Sequence, residues 1–272
     1  MPAERLNYFV LFPALLVTNL ADAEIKEIEL WPMALAMLGA VLMVGAGCFA
    51  LRRALPMGGP GFAALFQGAI RPNAYVAIAA GAALYDNPGL TLVAVAIAVV
   101  IPTVNVLSVI VLSTHGTDAG LGARDAMAQI ARNPIILACA LGIALNLSGL
   151  GLPAVVAEFF RLLGRAALPL GLLSVGAGLD LAAARALGRA VAAASVLKLI
   201  VLPGLTAALC LVLGVHGATA AMAVLFNGCP ASASSYILTR QMGGDYRMMA
   251  GIITVETAAA AITLPVLMLP SL

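Results

Sequence analysis

Leu65-Phe66-Gln67-Gly68-Ala69-Ile70-Arg71-Pro72-Asn73 is the stretch that decides the fold, because it places polar residues and a proline inside an apolar run over residues 61–84. Proline lacks a backbone N–H and clashes with the preceding turn, so a helix through this run is expected to break near Arg71-Pro72-Asn73. Lipid cannot hydrogen-bond the freed backbone groups, so they must line a cavity walled by protein. The stretch therefore predicts a broken membrane span.

A similar stretch lies in the second half of the chain. Leu225-Phe226-Asn227-Gly228 is followed by Pro230 and by several serines, and a weaker echo relates residues 12–16 to residues 168–173. The members of each pair are five predicted spans apart, so equivalent helices point in opposite directions, as in the inverted repeats of many secondary transporters. Chance similarity in a chain rich in Leu, Ala and Gly is the alternative. The matching order of the two echoes favours the repeat.

The composition requires lipid as part of the solvent. Hydrophobic residues make up 63% of the chain and charged residues 10%, against roughly a quarter charged in soluble domains. The apolar runs are continuous and do not alternate, which predicts an all-α polytopic membrane protein. The scattered basic residues do not indicate nucleic-acid binding. The cysteine spacing, and the lack of HExxH and GxSxG patterns, suggest neither metal nor cofactor and weaken an enzyme reading.

The apolar runs also give a span count and an orientation. A bilayer core of ~30 Å needs about 20 residues per helix, and nine runs approach that length: 8–20, 31–51, 61–84, 90–112, 134–150, 159–179, 187–213, 218–238 and 248–269. Basic residues in the loops and near the ends of the runs divide nine to three between the two sides, which predicts a cytoplasmic N-terminus. The acidic loops 22–29 and 86–88 then face outward. The larger group is Arg5, Arg52, Arg53, Arg124, Arg132, Arg185, Arg189, Arg240 and Arg247; the smaller is Lys26, Arg161 and Arg165.

Charged residues inside the spans are candidates for function. Arg71 and Lys198 each lie about ten residues into a run, near the midplane. Paired half-helix N-termini would add N–H donors suited to a carboxylate. Arg71 is compatible with substrate binding, with a structural ion pair and with snorkelling. Lys198 and Glu256 form a candidate pair, for ion coupling or for structure. The predicted substrate-binding residues are Arg71, Pro72, Asn73, Asn227, Pro230, Ser232 and Ser234.

An ordered set of stretches runs along the chain: Arg71-Pro72-Asn73-Ala74-Tyr75-Val76, Ile101-Pro102-Thr103-Val104-Asn105-Val106-Leu107-Ser108, Asn133-Pro134-Ile135-Ile136, Ala167-Leu168-Pro169-Leu170-Gly171-Leu172-Leu173-Ser174-Val175-Gly176-Ala177 and Pro230-Ala231-Ser232-Ala233-Ser234-Ser235-Tyr236-Ile237-Leu238. Together they resemble the auxin efflux carrier family, in its bacterial branch. The resemblance implies ten spans in two inverted five-helix repeats, with crossing broken helices and transport of small organic anions such as carboxylates. By position, Pro72 and Asn73 would form the first crossover and Pro230 the second.

Three departures from the family accompany this resemblance. Ala77-Ile78-Ala79 replaces the Gly and Pro that follow the crossover asparagine in the family, so the first break is expected to depend on Pro72 alone. Glu256 stands where a neutral polar residue is expected. The family's first helix has no counterpart, which a mis-assigned start of the reading frame explains more simply than a nine-span carrier.

The sequence thus predicts one transporter domain, with residues 1–112 as the remainder of the first repeat, 113–133 as a cytoplasmic linker and 134–272 as the second repeat. The predicted function is secondary transport of a small organic anion by alternating access, in a bacterial inner membrane, with a homodimer as a further expectation. A cation/proton antiporter is an alternative, but it would need paired acids where Gln67, Asn73 and Asn227 stand. The other alternative functions are a membrane-embedded enzyme and a truncated membrane protein that does not transport.

Overall fold

The computed structural model describes residues 5–22, 30–117, 134–177, 179–180, 182 and 188–268. All regular elements within these residues are helices. They are α1 (Phe12–Ala21), preceded by a π-helical turn (Asn7–Leu11), α2 (Leu30–Arg52), α3 (Gly59–Ile70), α4 (Ala74–His115), α5 (Pro134–Ser148), α6 (Ala154–Ala177), α7 (Arg189–Val212), α8 (Gly217–Gly228), α9 (Ala233–Gln241) and α10 (Tyr246–Met268).

The helices confirm an all-α polytopic membrane protein. Five of the described helices, α2, α4, α6, α7 and α10, are long and apolar enough to cross a bilayer, and shorter apolar helices lie at Asn7–Ala21, α5 and α8. The backbone of α4 leaves the helical conformation at Tyr85 and Asp86, so its 42 residues form two segments. Helix α3 and the first segment of α4 together cover the predicted span 61–84, and the second segment covers the predicted span 90–112. Gly81 and Gly89 lie backbone to backbone where the two segments meet.

The predicted span boundaries agree with the helices to within a few residues. The sixth span was placed at 159–179, whereas α6 begins at Ala154. The linker was placed at 113–133, but α4 continues to His115, and residues 118–133 lie outside the described part of the chain. Residues 187 and 269, the predicted limits of two other spans, also lie outside it. The division into two repeats and the count of nine spans stay predictions.

The helices pack as two bundles that do not follow the order of the sequence. The first bundle contains α1 with its π-helical turn, α5 and α6. The second contains α2, α3, α7, α8, α9 and α10. Helix α4 packs against both bundles and provides the main contact between them. The second bundle is the one that contains both predicted breaks.

Charged residues cluster at the two ends of the bundles as the loop assignment predicts. At one end, Arg52 donates to His115 over 2.6 Å, and the Arg240 guanidinium lies over the Tyr246 ring. At the other end, Arg161 forms an ion pair with Asp22 over 3.3 Å. This separation agrees with the predicted sidedness. Which end faces the cytoplasm stays a prediction.

Candidate functional site

The first predicted break is present. Helix α3 ends at Ile70, α4 begins at Ala74, and Arg71 and Asn73 between them have extended backbone conformations. Asn73 is the N-cap of α4, and its Oδ1 accepts hydrogen bonds from the backbone N–H groups of Tyr75 and Val76 at 3.1 and 3.4 Å. The expectation that Pro72 alone makes this break is therefore incomplete, because the asparagine cap also fixes where α4 begins.

The second predicted break is also present, and it touches the first. Helix α8 ends at Gly228 and α9 begins at Ala233, with Ser232 as its N-cap. Pro72 and Ala231 pair as an isolated antiparallel bridge, and the Asn73 N–H donates to the Pro230 carbonyl over 2.8 Å. The helices that lead into the two breaks, α3 and α8, each have 12 residues. The breaks therefore meet as a crossover of two antiparallel, similarly built segments.

The N-terminal ends of α4 and α9 are not open donors, contrary to the simplest form of the prediction. The first N–H groups of a helix lack partners within the helix, but here the Asn73 side chain and the Ser232 hydroxyl accept from them. The donors that remain for a ligand therefore belong to side chains. The positive ends of the two helix dipoles still point at the crossover.

Arg71 is the charged group of the first break. It is 7% exposed, and its two recorded hydrogen bonds are to neutral acceptors, the Gln67 Oε1 at 3.3 Å and the Ser234 Oγ at 3.1 Å. The Tyr8 hydroxyl is close enough to interact with it electrostatically. Within the described residues no carboxylate pairs with Arg71, so the structural ion pair considered from the sequence is not formed there. A buried guanidinium has five N–H donors and needs acceptors for them.

Asn73 leaves one buried donor beside this cation. Its Nδ2 has no hydrogen-bond partner in the part of the chain that the structure describes, although the side chain is 0% exposed. In the second break, the buried Ser235 Oγ also has no hydrogen-bond partner within the described residues. Ser234 is exposed and Ser232 is half-buried. The crossover is therefore closed around Asn73 and open towards the serines.

The second break has charges of its own. Lys198 Nζ donates to the backbone carbonyl of Asn227 over 3.0 Å, at the C-terminal end of α8. Glu256 Oε2 accepts from the backbone N–H of Ala231 over 2.8 Å, just before α9. Both side chains are 0% exposed. Cations are favourable at helix C-termini and anions at helix N-termini, so each side chain complements the half-helix that it contacts.

Lys198 and Glu256 interact electrostatically but do not form a direct ion pair. Each is held by a main-chain group of the second break instead. Their assignment as an ion-coupling or structural pair stays a prediction. Asn227 links α8 to α2 and α7. Its Nδ2 donates to the Met37 carbonyl over 3.3 Å and to the Thr206 hydroxyl over 2.8 Å. Its Oδ1 has no partner.

The sequence reasoning missed Asn7, Tyr8 and Gly171, which lie against the first break. Asn7 is fully buried, and neither of its side-chain polar atoms has a partner within the described ranges. A Cβ added to Gly171 would lie 2.7 Å from Tyr75 Cδ1 and 3.1 Å from Asn7 Nδ2. These residues come from the first bundle, whereas Arg71 and Asn73 belong to the second. The crossover therefore lies where the two bundles meet.

The position of Asn7 could have been recognised in the sequence from Pro13, which follows the turn that contains Asn7. The π-helical turn Asn7–Leu11 directly precedes Phe12-Pro13, and the π-helical turn Leu197–Val201, which contains Lys198, directly precedes Leu202-Pro203. Proline clashes with the carbonyl four residues earlier, so the preceding turn widens. The N–H of the residue before each proline then donates to the carbonyl five residues back, from Phe12 to Asn7 and from Leu202 to Leu197. Such π turns are frequent at functional sites.

The chemistry of these residues suits an anion better than a metal ion. Among the described residues, no group of three or more His, Cys, Asp or Glu side chains could hold a metal. At the first break the Arg71 guanidinium and the Asn73 Nδ2 are donors, and the Nδ2 has no partner within the described residues. Donors and positive charge recognise carboxylates.

Comparison with protein families gives one result. The model of the membrane transport protein family matches residues 123–268, more than half of the chain. The chain belongs to this family. It is the auxin efflux carrier family, so the family named from the ordered stretches is confirmed, while its bacterial branch and the missing first helix stay predictions. The match contains the second break, Lys198 and Glu256, whereas the first break precedes it. No curated protein matches the chain.

Membership of the auxin efflux carrier family agrees with the helices. The protein is a multi-pass membrane protein, and its general activity is membrane transport. The roles of the crossover residues are not part of that result.

Proposed function

We propose that this member of the auxin efflux carrier family is a secondary active transporter of small organic anions, in particular carboxylates. The observation that carries the proposal is the environment of Arg71. A buried guanidinium lies at a helix break, and its hydrogen-bond partners among the described residues are neutral side chains. The positive end of α4 points at the same place. An anion that enters the crossover would neutralise a charge that is costly to bury alone.

The binding groups in this proposal are side chains of both breaks. Arg71 and Asn73 supply the donors, while Ser232 and Ser234 supply hydroxyl groups on the accessible side. Pro72 and Pro230 interrupt the helices, and Asn227 holds α8 to α2 and α7. The planar guanidinium of Arg71 can donate two parallel hydrogen bonds to the two oxygens of a carboxylate.

Alternating access would arise from movement of one bundle against the other. Arg71 and Asn73 belong to the bundle with the crossover, whereas Asn7, Tyr8 and Gly171 belong to the bundle of α1, α5 and α6. Relative motion of the bundles would therefore open and close the site on its two sides. As part of the same proposal, we place the protein in a bacterial inner membrane, in line with its distribution of basic residues. Homodimer formation is a further expectation of the proposal.

Counterflow in proteoliposomes tests this function. Liposomes loaded with unlabelled dicarboxylates or aromatic acids should take up the same labelled compound when the wild-type protein is present. We expect Arg71→Gln to reduce this uptake to near the protein-free level, because the anion loses its only buried cationic partner within the described first break.

The matched control is Arg247→Gln, which makes the same chemical change at an exposed position at the start of α10. Its uptake should equal that of the wild type. Uptake unchanged in Arg71→Gln and in Asn73→Ala would remove the crossover as the binding site. Wild-type liposomes that exchange neither class of acid would count against the proposed substrate class.

A further inference from the structure

Glu256 is a buried carboxyl group with half of its hydrogen-bonding capacity unused. Its Oε2 accepts from the Ala231 N–H, but its Oε1 is buried and has no partner among the described residues. A carboxylate oxygen left bare in a protein interior is expensive. A proton bound at Oε1 would remove the charge that makes this oxygen costly to bury.

The charged and titratable groups around Glu256 are few in the described part of the chain. Lys198, in the π-helical turn of α7, interacts with it electrostatically, and Cys229 lies near Lys198. Helices α3 and α8 carry no ionisable side chains. Tyr236 and Arg240 of α9 contact Tyr246 at the far end of α10. Asp180 also approaches α10, since its backbone N–H donates to the Thr254 Oγ1 over 2.9 Å, but Asp180 is exposed. Among the described residues, Lys198 is therefore the charge that Glu256 faces.

Lys198 also bears on which ion could be coupled to transport. Its ammonium group donates to the Asn227 carbonyl at the C-terminal end of α8, which is where a metal cation would find an oxygen ligand and a negative dipole end. The protein's own cation occupies that end of the break. A proton that binds the Glu256 carboxyl group does not need the C-terminal end of α8, which Lys198 occupies.

Glu256 is also linked mechanically to the first break. Its partner Ala231 pairs with Pro72 in the crossover bridge, and the adjoining Pro230 carbonyl accepts from Asn73. A hydrogen bond to a charged acceptor is about twice as strong as one to a neutral acceptor. Protonation of Glu256 would therefore loosen the segment that holds Asn73 in place.

We propose that Glu256 is the proton-binding group that couples anion transport to a proton gradient, an inference that rests on the proposed function. In the step, a proton from water on one side forms an O–H bond at Oε1 and converts the carboxylate to a carboxylic acid. After the bundles have moved, the same bond breaks and the proton passes to water on the other side. One proton then crosses with each substrate molecule.

Two transport modes separate coupling from binding. Counterflow exchanges labelled for unlabelled substrate and needs no net proton movement, whereas accumulation against a gradient needs it. With the membrane potential clamped at zero, a gradient of one pH unit that drives one proton sustains about tenfold accumulation of an electroneutrally carried substrate. We expect wild-type liposomes to show both modes. Glu256→Gln, which mimics the protonated acid, should keep counterflow and lose pH-driven accumulation.

Control variants make the outcomes distinct. Glu158→Gln removes an exposed carboxylate paired with Arg161 and should keep both modes, and Glu256→Asp should retain pH-driven accumulation. If wild-type counterflow is absent, the proposed function fails. If wild-type counterflow is present, the coupling role alone is overturned by any of three results: accumulation that ignores the pH gradient, accumulation kept in Glu256→Gln, or both modes lost in Glu256→Gln.

Discussion

Asn73 has two separate chemical functions at the crossover. Its Oδ1 caps α4, while its Nδ2 is a buried donor without a partner. The cap contributes to stability whether or not substrate is present. The Nδ2 group gains a partner only when an acceptor enters the site. These two contributions can be separated by substitution.

Serine at position 73 should preserve the cap and remove the donor. We expect Asn73→Ser to unfold at close to the wild-type temperature and to bind substrate about 10- to 100-fold more weakly, since a hydrogen bond to a charged group contributes about 1.5–3 kcal/mol. Asn73→Ala should also lose about 0.5–2 kcal/mol of stability with the cap. Binding is measured as the substrate concentration for half-maximal counterflow.

Thermal unfolding can be followed through the thiols of Cys48, Cys139, Cys210 and Cys229, which are all buried in the folded protein and become reactive when it unfolds. Equal substrate affinity in Asn73→Ser and the wild type would assign Asn73 to the cap alone.

At the level of the elements, α6 approaches the crossover because Gly171 has no side chain. The Tyr75 ring lies against this glycine and also packs edge-on against Phe12, with ring centroids 4.4 Å apart. The ring is therefore confined between α1 and α6. This contact joins α4 to the first bundle at the height of the break.

Alanine at position 171 should disturb this contact. The added methyl group would lie 2.7 Å from Tyr75 Cδ1, and overpacking typically costs about 1–3 kcal/mol. We expect Gly171→Ala to unfold at a lower temperature and to show slower counterflow. Gly176→Ala in the same helix has nothing within 4 Å and should be neutral or more stable by up to about 1 kcal/mol. The same thiol assay measures both, and equal losses in the two variants would contradict the proposed contact.

For the whole molecule, the two ends of the bundles define its orientation. Arg52, His115, Arg240 and Tyr246 contact one another in pairs at one end, and the Arg161–Asp22 ion pair lies at the other. Basic residues in short loops are retained on the cytoplasmic side. The end that carries Arg52 and Arg53 is therefore expected to face the cytoplasm.

Cysteine labelling tests this orientation. Arg53 and Asn87 are both exposed, beyond α2 and beside the irregular residues of α4, respectively. In intact cells, a membrane-impermeant maleimide should label Asn87→Cys and leave Arg53→Cys unlabelled until the cells are opened. The native thiols are buried, so the wild-type protein is the blank. The reverse pattern would overturn the predicted sidedness.

The sequence by itself determined the class of fold and the positions of both breaks. Apolar runs of sufficient length can only form helices in lipid, and a proline within such a run interrupts it wherever it lies. Arg71, Lys198 and Glu256 were identifiable for the same reason, because a charge deep in an apolar run is costly and conspicuous. These properties depend on residues that are near each other in the chain.

Only the tertiary structure decided what those residues contact. It paired Pro72 with Ala231, gave Lys198 and Glu256 to main-chain groups rather than to each other, and left Arg71 with neutral partners. It also brought Asn7 and Gly171 to the site. Such contacts join segments that are far apart in sequence. They depend on how the bundles pack in three dimensions, which the periodicity and composition of a single segment do not specify.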